Sequence, residues 1–180
     1  MDFDFPFNSV SPPSPHPLRP SSKKTQYGNI MKWDKRFLQM AELVSTWSKD
    51  PSTQIGTVIV NDRRRILSTG YNGFPRGFTD DMGRLEDREQ KYKLVVHGEM
   101  NAVYNATWNG VSLDGCTVYT TGLPTCSDCA KGLIQVGAKR IVCGYPKDIP
   151  ERWVQSFEFT KQMFNEAHID LTVYHDWSES

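Results

Sequence analysis

The tripeptide His97-Gly98-Glu99 and the later hexapeptide Pro124-Thr125-Cys126-Ser127-Asp128-Cys129 constrain this chain more than any other feature. Together they supply three metal-ligand side chains and one carboxylate that need not be a ligand. A closed structural zinc site takes four protein ligands, whereas a catalytic site takes three and leaves the fourth position to water. The chain offers His97, Cys126 and Cys129, so its fold has to bring two distant segments together around an ion with one open position. Glu99, two residues after His97, then stands beside the metal where it can move protons.

A His-x-Glu segment followed by Pro-Cys-x-x-Cys is the pattern of zinc nucleobase deaminases, in which the glutamate is the general acid and base rather than a ligand. One residue departs from that pattern: Thr125 separates Pro124 from Cys126. The Cys-x-x-Cys spacing is intact, and the proline still shapes the turn that presents the first thiolate.

With 180 residues, 38% hydrophobic and 23% charged, the chain can bury the core of one ordinary domain. The formal net charge is zero, and the one basic cluster is the short Arg63-Arg64-Arg65. A protein that grips a nucleic-acid backbone needs a basic stripe, so a small soluble substrate fits better and no nucleic-acid partner is expected. Cys126 and Cys129 are best explained as metal thiolates, and Cys116 and Cys143 lie in apolar runs, which favours a reducing, cytoplasmic setting over disulfides. No run of 18 apolar residues exists and Met1-Asp2-Phe3-Asp4 lacks a basic leader, so neither membrane insertion nor export is expected.

Residues 1–30 read as a flexible Pro/Ser-rich tail, with Phe3, Phe5 and Phe7 as a possible clip and His16 solvated. The folded domain is expected over 31–176. Phe37, Met40, Ala41, Val44 and Trp47 fall at helical spacing on one face, with Asp34 as the cap. Ile55 to Val60 and Ile66 to Thr69 are β-branched runs joined by a charged turn, which predicts a hairpin. Asp80 to Lys93 is polar without strong periodicity. Helices are predicted from His97 to Trp108, from Cys126 or Ser127 to near Gly137, and from Pro150 to Ala167, with strands at Cys116 to Thr121, Arg140 to Gly144 and Ile169 to Tyr174. That order predicts a three-layer α/β/α domain around a five-stranded mixed sheet, with the metal between two helix starts whose dipoles favour thiolate and hydroxide charge.

From about Met31 to Tyr174 the chain resembles the cytidine deaminase superfamily, and within it the deoxycytidylate deaminases. The resemblance rests on the zinc residues together with Ser48-Lys49-Asp50-Pro51-Ser52-Thr53-Gln54-Ile55-Gly56, Gly70-Tyr71-Asn72-Gly73-Phe74-Pro75, His97-Gly98-Glu99-Met100-Asn101-Ala102, and Cys129-Ala130-Lys131 leading to Ile134-Gln135-Val136-Gly137. It implies a cytidine-deaminase-like fold and hydrolysis of dCMP to dUMP and ammonia, feeding dTMP synthesis. Zn2+ on His97, Cys126 and Cys129 would lower the pKa of water, and Glu99 would shuttle protons to the ring and the departing amine.

Gly98 stands where the family usually has alanine but keeps the backbone N–H for the pyrimidine carbonyl. Lys49, Ser52 and Thr53, which combine charge and hydroxyls on one loop, are the candidates for the phosphate, and by the resemblance Asn72 would sit near sugar or phosphate groups. The resemblance further implies a homohexamer activated by dCTP and inhibited by dTTP, with Asn72, Gly73 and Arg76 as effector candidates and Mg2+ accompanying a triphosphate. Cys143 stands where the family often has tyrosine, with Tyr145 two residues later.

Other readings stay open: a deaminase that also takes dCTP, a tRNA adenosine deaminase, a structural zinc site completed by Cys116, Cys143 or His175, and a non-catalytic zinc module. Trp33, Trp47, Trp108 and Trp153 read as core or subunit-contact residues rather than substrate contacts.

Overall fold

A computed structural model of the chain describes residues 23–175 and Trp177, with side chains described from Met31 onward. The expectations for the tail before Lys23, including its phenylalanines and His16, lie outside the described residues.

β1 (Gly56–Val60) and β2 (Ile66–Tyr71) form the expected antiparallel hairpin. Asn61 closes its turn by accepting from the backbone N–H groups of Arg63 and Arg65, and Arg64 takes a left-handed φ of 61°. β3 (Thr117–Thr121) pairs antiparallel with β1, and β4 (Arg140–Gly144) and β5 (Asp170–Tyr174) add in parallel. The result is a five-stranded mixed sheet in the order β2-β1-β3-β4-β5. Alternation along the strands divides the core in two, as a half-turn per residue requires.

On one face Val58, Val60, Tyr119 and Val142 meet Phe37, Leu38, Ala41 and Val44 of α1 (Lys23–Ser45). On the other, Ile59, Val118 and Ile141 meet Ala102 and Val103 of α4 (Gly98–Trp108), Leu133 of α5 (Ser127–Gln135) and Phe164 of α6 (Glu151–Glu166). This is the expected three-layer arrangement. The approach of α1 to β1 is close: a Cβ on Gly56 would lie 1.8 Å from the carbonyl oxygen of Ala41, so only glycine fits.

The first helix departs from expectation in three ways. It begins at Lys23, upstream of Met31. Asp34 is therefore inside it rather than at its start, and is buried in the core side of the helix. There it accepts two hydrogen bonds from Arg140, at 2.8 and 2.7 Å, and one each from the Tyr119 and Tyr174 hydroxyls. Four donors satisfy a carboxylate that would otherwise be costly to bury, and they tie α1 to β3, β4 and β5. The buried stripe takes Leu38 in place of Met40, which is 37% exposed, and Trp47 lies beyond the last helical turn at 53% exposed.

Asp80 to Lys93 is also more regular than expected. It holds two short helices, α2 (Met82–Glu86) and α3 (Arg88–Leu94). Their cause is local capping: Asp81 accepts from the Gly83 N–H, and Asp87 from the N–H groups of Glu89 and Gln90.

Gly56, Tyr71, Thr121, Gly144 and Tyr174 are register partners along one edge of the sheet. This is the edge where β2, β3 and β4 end, and α5 and α6 each begin after the strand that ends there. Open α/β sheets bind ligands outside the carboxyl ends of their parallel strands, and here too that edge carries the clustered polar chemistry.

Candidate active site

His97 is the residue immediately before α4 and Cys126 the residue immediately before α5. Both backbones are extended at that point, so each side chain turns away from its helix toward the sheet edge. Cys126 Sγ lies 3.3 Å and Cys129 Sγ 3.4 Å from His97 Nδ1. All three donor atoms fall within 4.8 Å of one another. Two thiolates and an imidazole nitrogen at that separation match the donor set of a tetrahedral zinc ion with one open position.

The surroundings favour charge at the Cys126 sulfur. The Cys129 N–H points to Cys126 Sγ at 3.5 Å from the first turn of α5. A hydrogen bond from Cys129, with help from His97, holds the Cys126 thiol down at about 4 against its burial. The bond to Cys126 in turn pushes His97 up to about 9, and Cys129 is pushed well above the thiol range. A metal ligated by these side chains requires deprotonated thiolates and a neutral imidazole, so its binding is coupled to proton release.

Glu99, in the first turn of α4, is 3% exposed and its Oε2 lies 3.7 Å from Cys129 Sγ. Burial raises its carboxyl above the usual range, the charge on Cys126 adds to this, and His97 opposes it. A carboxyl that holds its proton more readily than usual, beside a metal site, suits a proton shuttle. Gly98, between His97 and Glu99, is buried against Ile55.

A cleft opens from this triad. His97, Glu99 and Cys126 form its floor, with Thr53, Asn72 and Leu123 among the walls. Two of the residues expected at the substrate are therefore there, Thr53 and Asn72. Asn72 is largely committed to structure: its Oδ1 accepts from the Ile55 N–H at 2.7 Å and its Nδ2 donates to the Thr53 carbonyl at 2.8 Å.

Lys49 and Ser52 are not on the cleft wall. Lys49 turns to Asp80, 2.6 Å away, in a neighbouring groove, and Ser52 is held by Asp50 and Lys91. Asn72, Gly73 and Arg76 do come together, in that second groove. The cleft also holds three residues that the sequence reading missed or assigned elsewhere: Lys91, Arg152 and Trp153. Trp153 is a wall residue rather than core filling, with its ring edge-on to His97 at 6.4 Å. A polar residue at the first turn of a helix that follows a parallel strand was the available signal.

Cys116 and Cys143 are buried free thiols, the Cys143 sulfur 3.7 Å from the Thr125 hydroxyl, and His175 faces the Tyr145 carbonyl. Among the described residues none of the three joins the metal-binding cluster. No described helix is long and apolar enough to cross a membrane.

The family model for the cytidine and deoxycytidylate deaminase zinc-binding region matches residues 31–145. The chain belongs to this family. It is 42% identical over 144 residues to an uncharacterized deaminase from the luxG 3′ region of Aliivibrio fischeri, covering 79% of this chain and 94% of that protein. It is also 42% identical over 142 residues to a probable deoxycytidylate deaminase of Caenorhabditis elegans, covering 77% of this chain and 68% of the relative. The dCMP deaminase of cyanophage S-TIM5, solved with dCMP and dUMP, shares the fold with a TM-score of 0.59 at 21% identity, over 86% of this chain and 99% of that one.

Proposed function

We propose that this protein is a zinc-dependent deoxycytidylate deaminase that hydrolyses dCMP to dUMP and ammonia, supplying dUMP for dTMP synthesis. The observation that carries the reading is the His97, Cys126 and Cys129 triad, with His97, Cys126 and the buried Glu99 at the floor of one cleft. Membership of the cytidine and deoxycytidylate deaminase family narrows the chemistry, and the relatives named for deoxycytidylate support the choice of nucleotide.

His97, Cys126 and Cys129 would hold zinc, which would supply the Lewis acidity that makes water nucleophilic near neutral pH. Glu99 does the proton work. Its carboxylate takes one proton from the attacking water and delivers it to the ring nitrogen, then takes the remaining proton from the new C4 hydroxyl and passes it to the amine. Oxygen bonds to C4, the bond from C4 to the exocyclic nitrogen breaks, and ammonia leaves. The Gly98 N–H is the donor for the pyrimidine carbonyl, while Thr53 and Asn72 border the sugar.

The same reading assigns regulation to the second groove, with dCTP as activator and dTTP as inhibitor at Asn72, Gly73 and Arg76, Mg2+ accompanying the triphosphate, and a homohexamer as the assembly. Exposed aromatics beside that groove, Trp47 and Trp108, support a subunit contact there. Asn72 lines both cavities, which offers a short route between effector and substrate.

Incubating the zinc-loaded protein separately with dCMP, dCTP and cytidine, and following the uracil products, tests the reading. Preferential formation of dUMP from dCMP is expected. Equal or faster turnover of the other two, or no product from any, would overturn it.

A further inference from the structure

Three basic side chains line the catalytic cleft: His97, Lys91 and Arg152. Two are committed. His97 belongs to the metal triad, and Lys91 is held by both Asp50 and Ser52 in a buried cluster. Lys49, the other cation on the nearby loop, faces the second groove and is neutralised by Asp80. Arg152 is different: among the described residues it makes no ion pair or hydrogen bond, and its guanidinium lies 5.9 Å from the centre of the Trp153 ring.

Trp153 is the second uncommitted group. It forms part of the same wall, and its indole N–H is buried with no acceptor among the described residues. A buried donor without a partner is costly, and its position in a cleft wall is what a ligand would correct.

We infer that Arg152, supported on the Trp153 ring, binds the 5′-phosphate of the nucleotide substrate, in place of Lys49 and Ser52. The inference rests on reading this cleft as the nucleotide site and deepens that reading. A guanidinium presents a planar fork that matches phosphate oxygens two at a time, and stacking on an indole face holds the fork in place without removing its charge. Arg152 is also in the first turn of α6, where the helix dipole favours an anion. The geometry makes the enzyme selective for a nucleoside monophosphate over the free nucleoside, with the phosphate end of the cleft marked by α6 and the reacting end by α4 and α5.

The test is equilibrium binding of dUMP and of deoxyuridine to the zinc-loaded full chain, for the wild type, Arg152→Gln and Lys49→Gln. Arg152 is exposed, so its replacement leaves the fold intact, which a thermal melt checks. The wild type is expected to bind dUMP at least tenfold more tightly than deoxyuridine; Arg152→Gln should bring that ratio close to one, and Lys49→Gln should leave it unchanged. A ratio that survives in Arg152→Gln, or collapses in Lys49→Gln, overturns the inference. Binding needs no turnover, so the two readings fail separately. An Arg152-dependent preference without dUMP formation from dCMP would sink the deaminase reading alone, and deamination with an unaltered ratio in Arg152→Gln would sink the phosphate site alone.

Discussion

Lys91 Nζ lies 2.7 Å from the carboxylate of Asp50, and the two side chains are 11% and 1% exposed. The pair joins α3 to the loop after α1, and that loop carries Thr53 into the cleft wall. Ser52 completes the cluster by donating to Asp50. Removing one partner leaves a buried charge uncompensated, which costs about 3–5 kcal/mol, whereas removing both costs much less. Lys91→Met is therefore expected to lower the stability measured by urea unfolding by about 3 kcal/mol. The Lys91→Met, Asp50→Asn double variant should recover a large part of the loss, and simple additivity of the two would argue against the coupling.

The same pair sets a pH dependence. Burial pushes the Asp50 carboxyl up, but hydrogen bonds from Lys91 and Ser52 outweigh it and leave the group below its usual value. Its contribution to stability is then complete above the ordinary carboxylate pKa of about 4 and is lost as pH falls through the lower folded value. Stability of the wild type should decline across that acid window more steeply than stability of Asp50→Asn. Parallel acid-unfolding curves would show that Asp50 is not the group responsible.

Metal stoichiometry separates an open three-ligand site from a closed four-ligand one. His97→Ala, Cys126→Ser and Cys129→Ser should each lose most bound zinc, while Cys116→Ala and Cys143→Ala should retain one ion per chain by elemental analysis. Both of the latter cysteines are fully buried, so a modest loss of stability is expected from the small cavities they leave. Loss of zinc in Cys143→Ala would point to a fourth protein ligand and a structural ion.

The second groove gives a test of regulation. Arg76 reaches Asn105 on α4 and stacks over Trp108, so it links the groove to the helix that follows His97. Arg76→Ala is expected to weaken the response to dCTP and dTTP several-fold while dCMP turnover without effectors changes little. An unchanged response in titrations of initial rate would move the effector site elsewhere.

The sheet and the metal triad were legible from sequence because local rules decide them. Alternating β-branched runs give strands, and ligands placed just before helix starts are aimed by the caps themselves, as at His97 and Cys126. What was not legible depends on side-chain direction across tertiary contacts. Lys49 shares a loop with Thr53, yet Asp80 draws it into the other groove. Asp34 looks like a cap in sequence and becomes a buried anchor only because Arg140, Tyr119 and Tyr174 converge on it from three strands. Trp153 lies in the first turn of α6, and its approach to His97 depends on the packing of α6 beside α5. The short helices α2 and α3 were missed because Asp81 and Asp87 cap them, a signal that hydrophobic periodicity does not contain.

The most direct measurement of the central claim is initial-rate formation of dUMP from dCMP by the zinc-loaded wild type and by Glu99→Gln, with zinc content measured on the same samples. One zinc ion per chain is expected in both proteins, with a loss of turnover of about a thousandfold in the variant, the scale of a missing general acid and base. Near-normal turnover by Glu99→Gln with its zinc in place would contradict it.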